Sequence, residues 1–253
     1  MSSDHPSIWE QRRFWDWHWE HWQERRTIND WKDKRHDTML TMLSELRLDH
    51  SKLLDLGCGP GRYTEKLTRF GQVTGIDLSE QAINVARSRY PGITFVAGSL
   101  YELPLPREYF DVVVSQEVID HVEDQVAFLD HAAGALKPGG YLVLSCANRF
   151  VMDRLGEGEF PPQPPAHITR CRSAREWKRL LGRRFQVLRI RSILPVVGQR
   201  GLLRFTNWPR LNAAFALLIG EERVTALKEW SGLGYTLIVL ARKVPTTDGR
   251  RGR

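Results

Sequence analysis

The chain has 253 residues, 42% of them hydrophobic and 26% charged, with a formal net charge of +7 and nine tryptophans. That length and composition describe a globular chain able to bury its own core, and they exclude a disordered, collagen-like or coiled-coil protein. Charge and tryptophan are both unevenly spread: residues 1–150 hold 17 Lys+Arg against 22 Asp+Glu, residues 151–253 hold 20 against 8, and Trp9, Trp15, Trp17, Trp19, Trp22 and Trp31 crowd the N-terminus.

The opening MSSDHPSIWEQRR has no apolar core of a signal peptide. Trp15, Trp19 and Trp22, then Trp31, Arg35, Met39 and Leu43, recur at helical spacing, so residues 1–48 are expected to be a helical extension. From Lys52 onward short β-rich runs alternate with helical patterns. Lys52–Leu56 is a first strand, Pro60–Phe70 a helix with proline near its first turn, and Gln72–Asp77 a second strand. Ser79 caps a helix to about Tyr90. Ile93–Ala97 and Phe110–Ser115 are the third and fourth strands, and Val122–Leu136 is a helix stopped by Lys137-Pro138-Gly139-Gly140 before the strand Tyr141–Ala147.

Past Asn148 the pattern changes. Residues 149–168 read as a Pro- and Gly-rich loop, and Ser173-Ala174-Arg175-Glu176 as a capping box. Phe185–Ile193 and Tyr235–Leu240 read as strands, separated by a helical insertion at about 195–232, and 244–253 as a disordered tail. Strands alternating with helices call for right-handed crossovers and a parallel sheet covered on both faces, here over residues 49–243. The longest notable apolar run, Leu211–Gly220, is too short to span a bilayer. Cys58, Cys146 and Cys171 have no CxxC spacing, and a reduced, cytoplasmic setting is expected.

The most informative stretch is Asp55-Leu56-Gly57-Cys58-Gly59-Pro60-Gly61, between the first strand and its helix. Glycines there let a ligand approach the backbone, and Asp77, 18 residues past Gly59 at the end of the second strand, can accept ribose hydroxyls. The GxGxG spacing differs from the GxGxxG of dinucleotide dehydrogenases. With KLLDLGCGPG (52–61), GIDLS (75–79), FDVVVSQEVIDHV (110–122) and LKPGG (136–140) in this order, the chain resembles the class I S-adenosylmethionine-dependent methyltransferases, small-molecule branch.

The resemblance implies an α/β fold: a Rossmann-like, doubly wound, seven-stranded sheet, mostly parallel with an antiparallel last strand, under an N-terminal helical lid. It implies S-adenosyl-L-methionine as cofactor and S-adenosyl-L-homocysteine as product. Asp55 and the backbone of Gly57, Cys58, Gly59 and Gly61 would hold the methionine end. Asp77 would bind the ribose, Leu78 the adenine face, and Ser99 and Leu100 the adenine's amine, although relatives often carry an acid at the Ser99 position. Gln116 and Val118 would line the methyl-transfer site.

No NPPY, DPPY or Pro-Cys pair follows strand four, which leaves oxygen, nitrogen or activated carbon of a small molecule as the acceptor. His121 is a candidate general base or else a helix cap, and His167 a candidate base or else a surface residue. The N-terminal aromatics are expected to pack their helix on the sheet, with some covering the sulfonium or an acceptor ring.

Twelve basic residues against Glu176 alone in 161–210 suggest an anionic partner or surface, or else simply a solvated basic face that keeps the chain soluble, and the expected partner is a small-molecule acceptor, anionic or aromatic. Arg170, Arg172, Arg175, Lys178, Arg179, Arg183 and Arg184 could alternatively meet RNA, although no RNA-binding module accompanies them. Leu202, Leu203, Phe205 and Trp208 among Arg200, Arg204 and Arg210 could meet an anionic membrane surface. A non-catalytic relative that keeps the fold is the remaining alternative. The sequence assigns no metal site.

Overall fold

A computed structural model describes residues 6–21, 26–155, 167–195 and 208–245. In chain order the elements are α1 (Ile8–Glu20), α2 (Arg26–Ser44), β1 (Ser51–Leu56), α3 (Arg62–Leu67), β2 (Gly71–Asp77), α4 (Glu80–Arg89), β3 (Thr94–Ala97), β4 (Phe110–Gln116), α5 (Gln125–Ala135) and β5 (Leu136–Ala147). There follow α6 (Arg149–Met152), α7 (Ala174–Leu181), β6 (Phe185–Pro195), α8 (Pro209–Ile219), α9 (Glu221–Trp230) and β7 (Gly234–Lys243).

The strands form one sheet in the order β3-β2-β1-β4-β5-β7-β6. Strands β1 to β5 pair in parallel, and β7 runs antiparallel between β5 and β6. Period-two alternation sends side chains to two cores. Leu54, Val113, Leu144 and Val239 pack with Phe128 of α5 and Trp177 of α7. Leu53, Val112, Val143 and Ile238 pack with Met39, Met42 and Leu43 of α2 and Leu67 of α3. The sheet order reverses beside β1, and the crevice at the carboxyl ends of β1 and β4 is where such sheets bind ligands.

Several boundaries move for identifiable reasons. Helix α3 starts at Arg62, so Pro60 stays in the loop, because Gly57, Gly59 and Gly61 all take positive φ before the helix begins. Helix α5 starts at Gln125, because Asp124 caps it through Val126 N and Ala127 N. Helix α5 does stop at Ala135, just ahead of Lys137–Gly140, but that segment is not a separate connection to the strand. It belongs to β5 as an irregularity, with the register against β4 shifting between Phe110 and Val112 and Gly139 at φ +75°. The insertion appears as α8 and α9, and Ser79 and the Ser173/Glu176 capping box both form as expected. Residues 156–166, 196–207 and 246–253 lie outside the described residues, which removes PPQPP, Leu202, Leu203, Phe205, Arg200, Arg204 and most of the tail from the structural account.

Candidate active site at the glycine loop

A cavity of about 900 Å³ opens at the carboxyl ends of β1, β2 and β4, roofed by α1. Its floor is the glycine loop. Gly57 N and Cys58 N both donate to Ile76 O, at 2.7 and 3.0 Å, tying the loop to β2. Gly57 and Gly59 take φ +76° and +52°, where side chains are rarely tolerated. A Cβ on Gly59 would stand 2.8 Å from the Trp19 ring, and one on Gly57 would overlap the Val118 side chain. Val118 and Trp19 thus leave no room for a side chain at either glycine.

Two buried carboxyls flank it. Asp77 accepts from Gly59 N at 2.8 Å and Ser79 N at 2.9 Å, and burial raises its pKa to about 6 against the pull of those two bonds. Asp55 accepts from the Thr64 hydroxyl at 2.7 Å, and burial raises its pKa to about 7. Leu78, Ser99, Leu100, Gln116, Val118, His121 and His167 also line the cavity, so the structure gathers almost every residue singled out in the sequence. Gly61 is not on the wall: it precedes α3, and the space beside it is filled by Phe95 and Tyr90. Cys58 lines the cavity but packs with Ile83, Ala86 and Phe95, and burial pushes its thiol well up.

Histidines and aromatics from three segments form another part of the wall. His121 ends a single 3₁₀ turn, Ile119–His121, after β4. It does not cap α5, since Asp124 does. Its Nδ1 lies 2.8 Å from Ile168 O, so this nitrogen donates and Nε2 is the basic atom. Burial lowers its pKa. His167 is no free surface residue: its ring centroid lies 4.5 Å from that of His121 and 5.2 Å from Phe14, and burial, with His121 and His18 nearby, lowers its pKa to about 4. Trp15 meets His121 and His167 edge-on at 5.3 and 5.7 Å.

The turn that carries His121 is itself anchored. Asp120 is buried and accepts from Ala147 N at 2.6 Å, and burial, then the Glu117 charge, raise its pKa to about 8. With a raised folded pKa, stability from the neutral form is fully present below the unfolded value and is lost as pH rises through about 8. The wild type should therefore lose up to ~1.4 kcal/mol per pH unit from this group between about pH 4 and 8. Asp120→Asn should remove that slope in urea unfolding measured across the range. Parallel pH dependence of the two proteins would refute this reading.

Helix α1 is fastened to the nucleotide side by Asp16, whose Oδ1 accepts from the Ser79 hydroxyl at 2.6 Å and Gln81 N at 3.3 Å, at the N-terminus of α4. Asp16→Ala is expected to weaken cofactor binding by roughly 3- to 10-fold through loss of its bonds to Ser79 and Gln81, read by calorimetry. Unchanged affinity would show that this fastening does not hold α1 over the site.

Not all the tryptophans share this role. Trp15 and Trp19 line the cavity, with Lys32 Nζ 5.9 Å from the Trp19 ring, whereas Trp9 and Trp17 are exposed. Trp22 and the Trp31 side chain lie outside the described residues. Helix α2 adds residues that spacing alone did not mark as functional. His36 Nε2 lies 2.9 Å and Arg35 Nη2 3.3 Å from Gln116 Oε1, so Gln116 is held by α2. Burial lowers His36 to about 3. Glu117, at φ +55°, places its carboxylate 3.6 Å from Arg35. Nothing in local periodicity marks Phe14, Asp16, His18 or Thr64. Phe14 and His18 are found by lining the cavity, Asp16 and Thr64 by their bonds to Ser79 and Asp55.

Part of the basic run proves internal. Arg170 donates to Glu123 O, Arg172 to Gln125 Oε1 at 2.5 Å, and Arg184 pairs with Asp130. Arg175, Lys178, Arg179 and Arg183 remain exposed.

The sheet order and the glycine loop with its acids give the chain the fold of the class I S-adenosylmethionine-dependent methyltransferases, and its sequence is similar to theirs. Residues 54–144 match the family described as "Methyltransferase domain". The chain is 41% identical over 123 residues to a ubiquinone biosynthesis O-methyltransferase of Bradyrhizobium sp. (strain ORS 278), covering 47% of this chain and 46% of that protein. It is 34% identical over 149 residues to a probable S-adenosylmethionine-dependent methyltransferase of Mycolicibacterium smegmatis, covering 58% and 56%. The chain thus spans about half the length of these relatives. Among solved structures, the N-methyltransferase NodS from Bradyrhizobium japonicum WM9, in complex with S-adenosyl-L-homocysteine, shares the fold with a TM-score of 0.61 at 20% identity, covering 92% of this chain and 98% of that one.

Proposed function

We propose that the protein transfers a methyl group from S-adenosyl-L-methionine to an oxygen, nitrogen or activated carbon of a small molecule. The residues present fit the cofactor: a cradle that a Cβ would fill, carboxyls at Asp77 and Asp55, and the π-faces of Trp15 and Trp19. Asp77 would receive the ribose, Leu78 and Ser99–Leu100 the adenine, and Asp55 with the Gly57–Gly59 backbone the methionine end. The cofactor supplies an electrophilic methyl on a sulfonium, displaced in line.

What this chain adds is positioning and proton handling. The observation that carries the reading is the orientation of His121: with Nδ1–H committed to Ile168 O, the basic Nε2 belongs to the ring that faces Trp15 and His167. Burial keeps the imidazole neutral and able to take the acceptor's proton as the new bond forms. Trp15, Phe14 and His167 form flat walls that favour a planar acceptor. Helix α1 serves as the lid that excludes water. The free cysteines Cys58, Cys146 and Cys171 support a reducing, cytoplasmic setting.

The test has two stages. Calorimetry should show S-adenosylmethionine binding, and its absence overturns the proposal. A cofactor-consumption screen across phenols, quinones, amino sugars and carboxylates should then give turnover with a planar phenolic or quinol acceptor. Cofactor binding with no turnover in any class would favour a non-catalytic relative.

A further inference from the structure

The remaining unexplained surface lies on the pair α8–α9. Among the described residues, Phe215, Leu217, Leu218 and Ile219 of α8 and Leu227 and Trp230 of α9 are all exposed, Leu217 by 88%, Leu218 by 79% and Trp230 by 85%. Their pattern matters more than their number. From Ala213 to Ile219, α8 has no polar side chain across almost two turns, and all of these residues except Ala216 are exposed. A helix with one apolar stripe fits a protein groove. A helix apolar on every side, and exposed on most of them, fits a medium that surrounds it.

At 11 residues α8 is about 16 Å long by the rise of a helix, and no described helix is long and apolar enough to cross a membrane. On α9, Leu227 and Trp230 are three residues apart on one face, and tryptophan favours the membrane–water interface. The charges around the pair are complementary to an anionic surface. α9 packs against β6 at the sheet edge. Exposed basic side chains stand at Arg191 on β6 and at Arg210 and Arg223 on the pair itself. Of the local acids, Glu229 pairs with Lys34 at 2.5 Å. Glu221 and Glu222 sit in the first turn of α9, where the helix N-terminus offsets their charge, and they limit insertion to headgroup depth.

We propose that α8 and α9 dock the protein on an anionic lipid bilayer, with α8 at the acyl-chain boundary and the basic edge on the headgroups. The Lys34–Glu229 pair ties this surface to α2, whose Arg35 and His36 line the cavity. The inference stands apart from the methyl-transfer reading, since lipid binding needs no cofactor.

The experiment is flotation of the full chain with vesicles of phosphatidylcholine alone or with phosphatidylglycerol, at low and high salt. At least ~10-fold more protein should float with phosphatidylglycerol, falling in high salt. Leu217→Asp/Leu218→Asp should abolish flotation while calorimetric cofactor affinity stays at the wild-type value, which shows that the variant is folded. Arg210→Glu/Arg223→Glu should remove the preference for the anionic vesicle. Wild-type protein that stays soluble with both vesicles overturns the proposal, as does a Leu217/Leu218 variant that floats like wild type. A wild-type dimer in light scattering that the Leu217/Leu218 variant converts to monomer, without flotation, would instead make this face a contact between copies.

Discussion

Asp77→Ala is expected to lower S-adenosylmethionine affinity by about 100-fold or more, the loss of close to 3 kcal/mol. The change removes two things at once. The carboxylate holds the cradle in shape through Gly59 N and Ser79 N, two buried donors that alanine leaves unpaired at about 1–3 kcal/mol each. It is also the group proposed to accept the ribose hydroxyls, through charge-assisted bonds that alanine cannot replace. Calorimetry gives the affinity, and a thermal melt without cofactor gives the structural share. Asp77→Asn sharpens the test, because its amide nitrogen must face one of the two N–H donors. Affinity within about 3-fold of wild type for both variants would remove Asp77 from the cofactor site.

His121→Gln should reduce turnover by about 10²- to 10⁴-fold with a protic acceptor, the usual worth of a positioned base, while leaving cofactor affinity unchanged. Glutamine can preserve a bond to Ile168 O but cannot take a proton. The pH profile separates base from scaffold. Because burial lowers the His121 pKa, the neutral form persists below the ordinary histidine value, and wild-type kcat/KM should fall only on the acid side of pH 6.5. The variant should lose that acid limb. His167→Gln should have the smaller effect, since His167 meets the site through ring contacts with Phe14, Trp15 and His121. Unchanged turnover in His121→Gln would dismiss it as the base.

These two residues also mark how legible the protein is in its sequence. Asp77 was readable because a strand, its terminal acid and a glycine loop occur at fixed local spacing, and the sheet must bring them together. The strands and caps followed from the same local rules: alternation in β4, Ser79 before α4, and the Ser173/Glu176 box before α7. The errors were local too. Pro60 reads as a helix starter only until three left-handed glycines occupy the loop around it, and Lys137–Gly140, which does end the helix, reads as a connection outside the strand only until the sheet absorbs it as an irregularity.

His121 shows the opposite case. Its sequence neighbourhood allowed base or cap, and the choice came from Ile168, 47 residues away, which accepts its Nδ1 proton, and from Asp124, which takes over the capping. The tryptophan-rich N-terminus divides in the same way: Trp15 and Trp19 enter the cavity while Trp9 and Trp17 face water, although all four lie on one helix. The basic run divides as well, Arg170, Arg172 and Arg184 bonding internally and Arg179 and Arg183 facing out.

The sequence by itself therefore determined the sheet, the glycine cradle and its acid, because hydrophobic period, caps and turn residues act over a few positions. Only the tertiary structure decided the chamber of histidines and aromatics and the apolar α8–α9 face. Both depend on burial and on contacts between segments far apart in the chain, which local pattern does not encode.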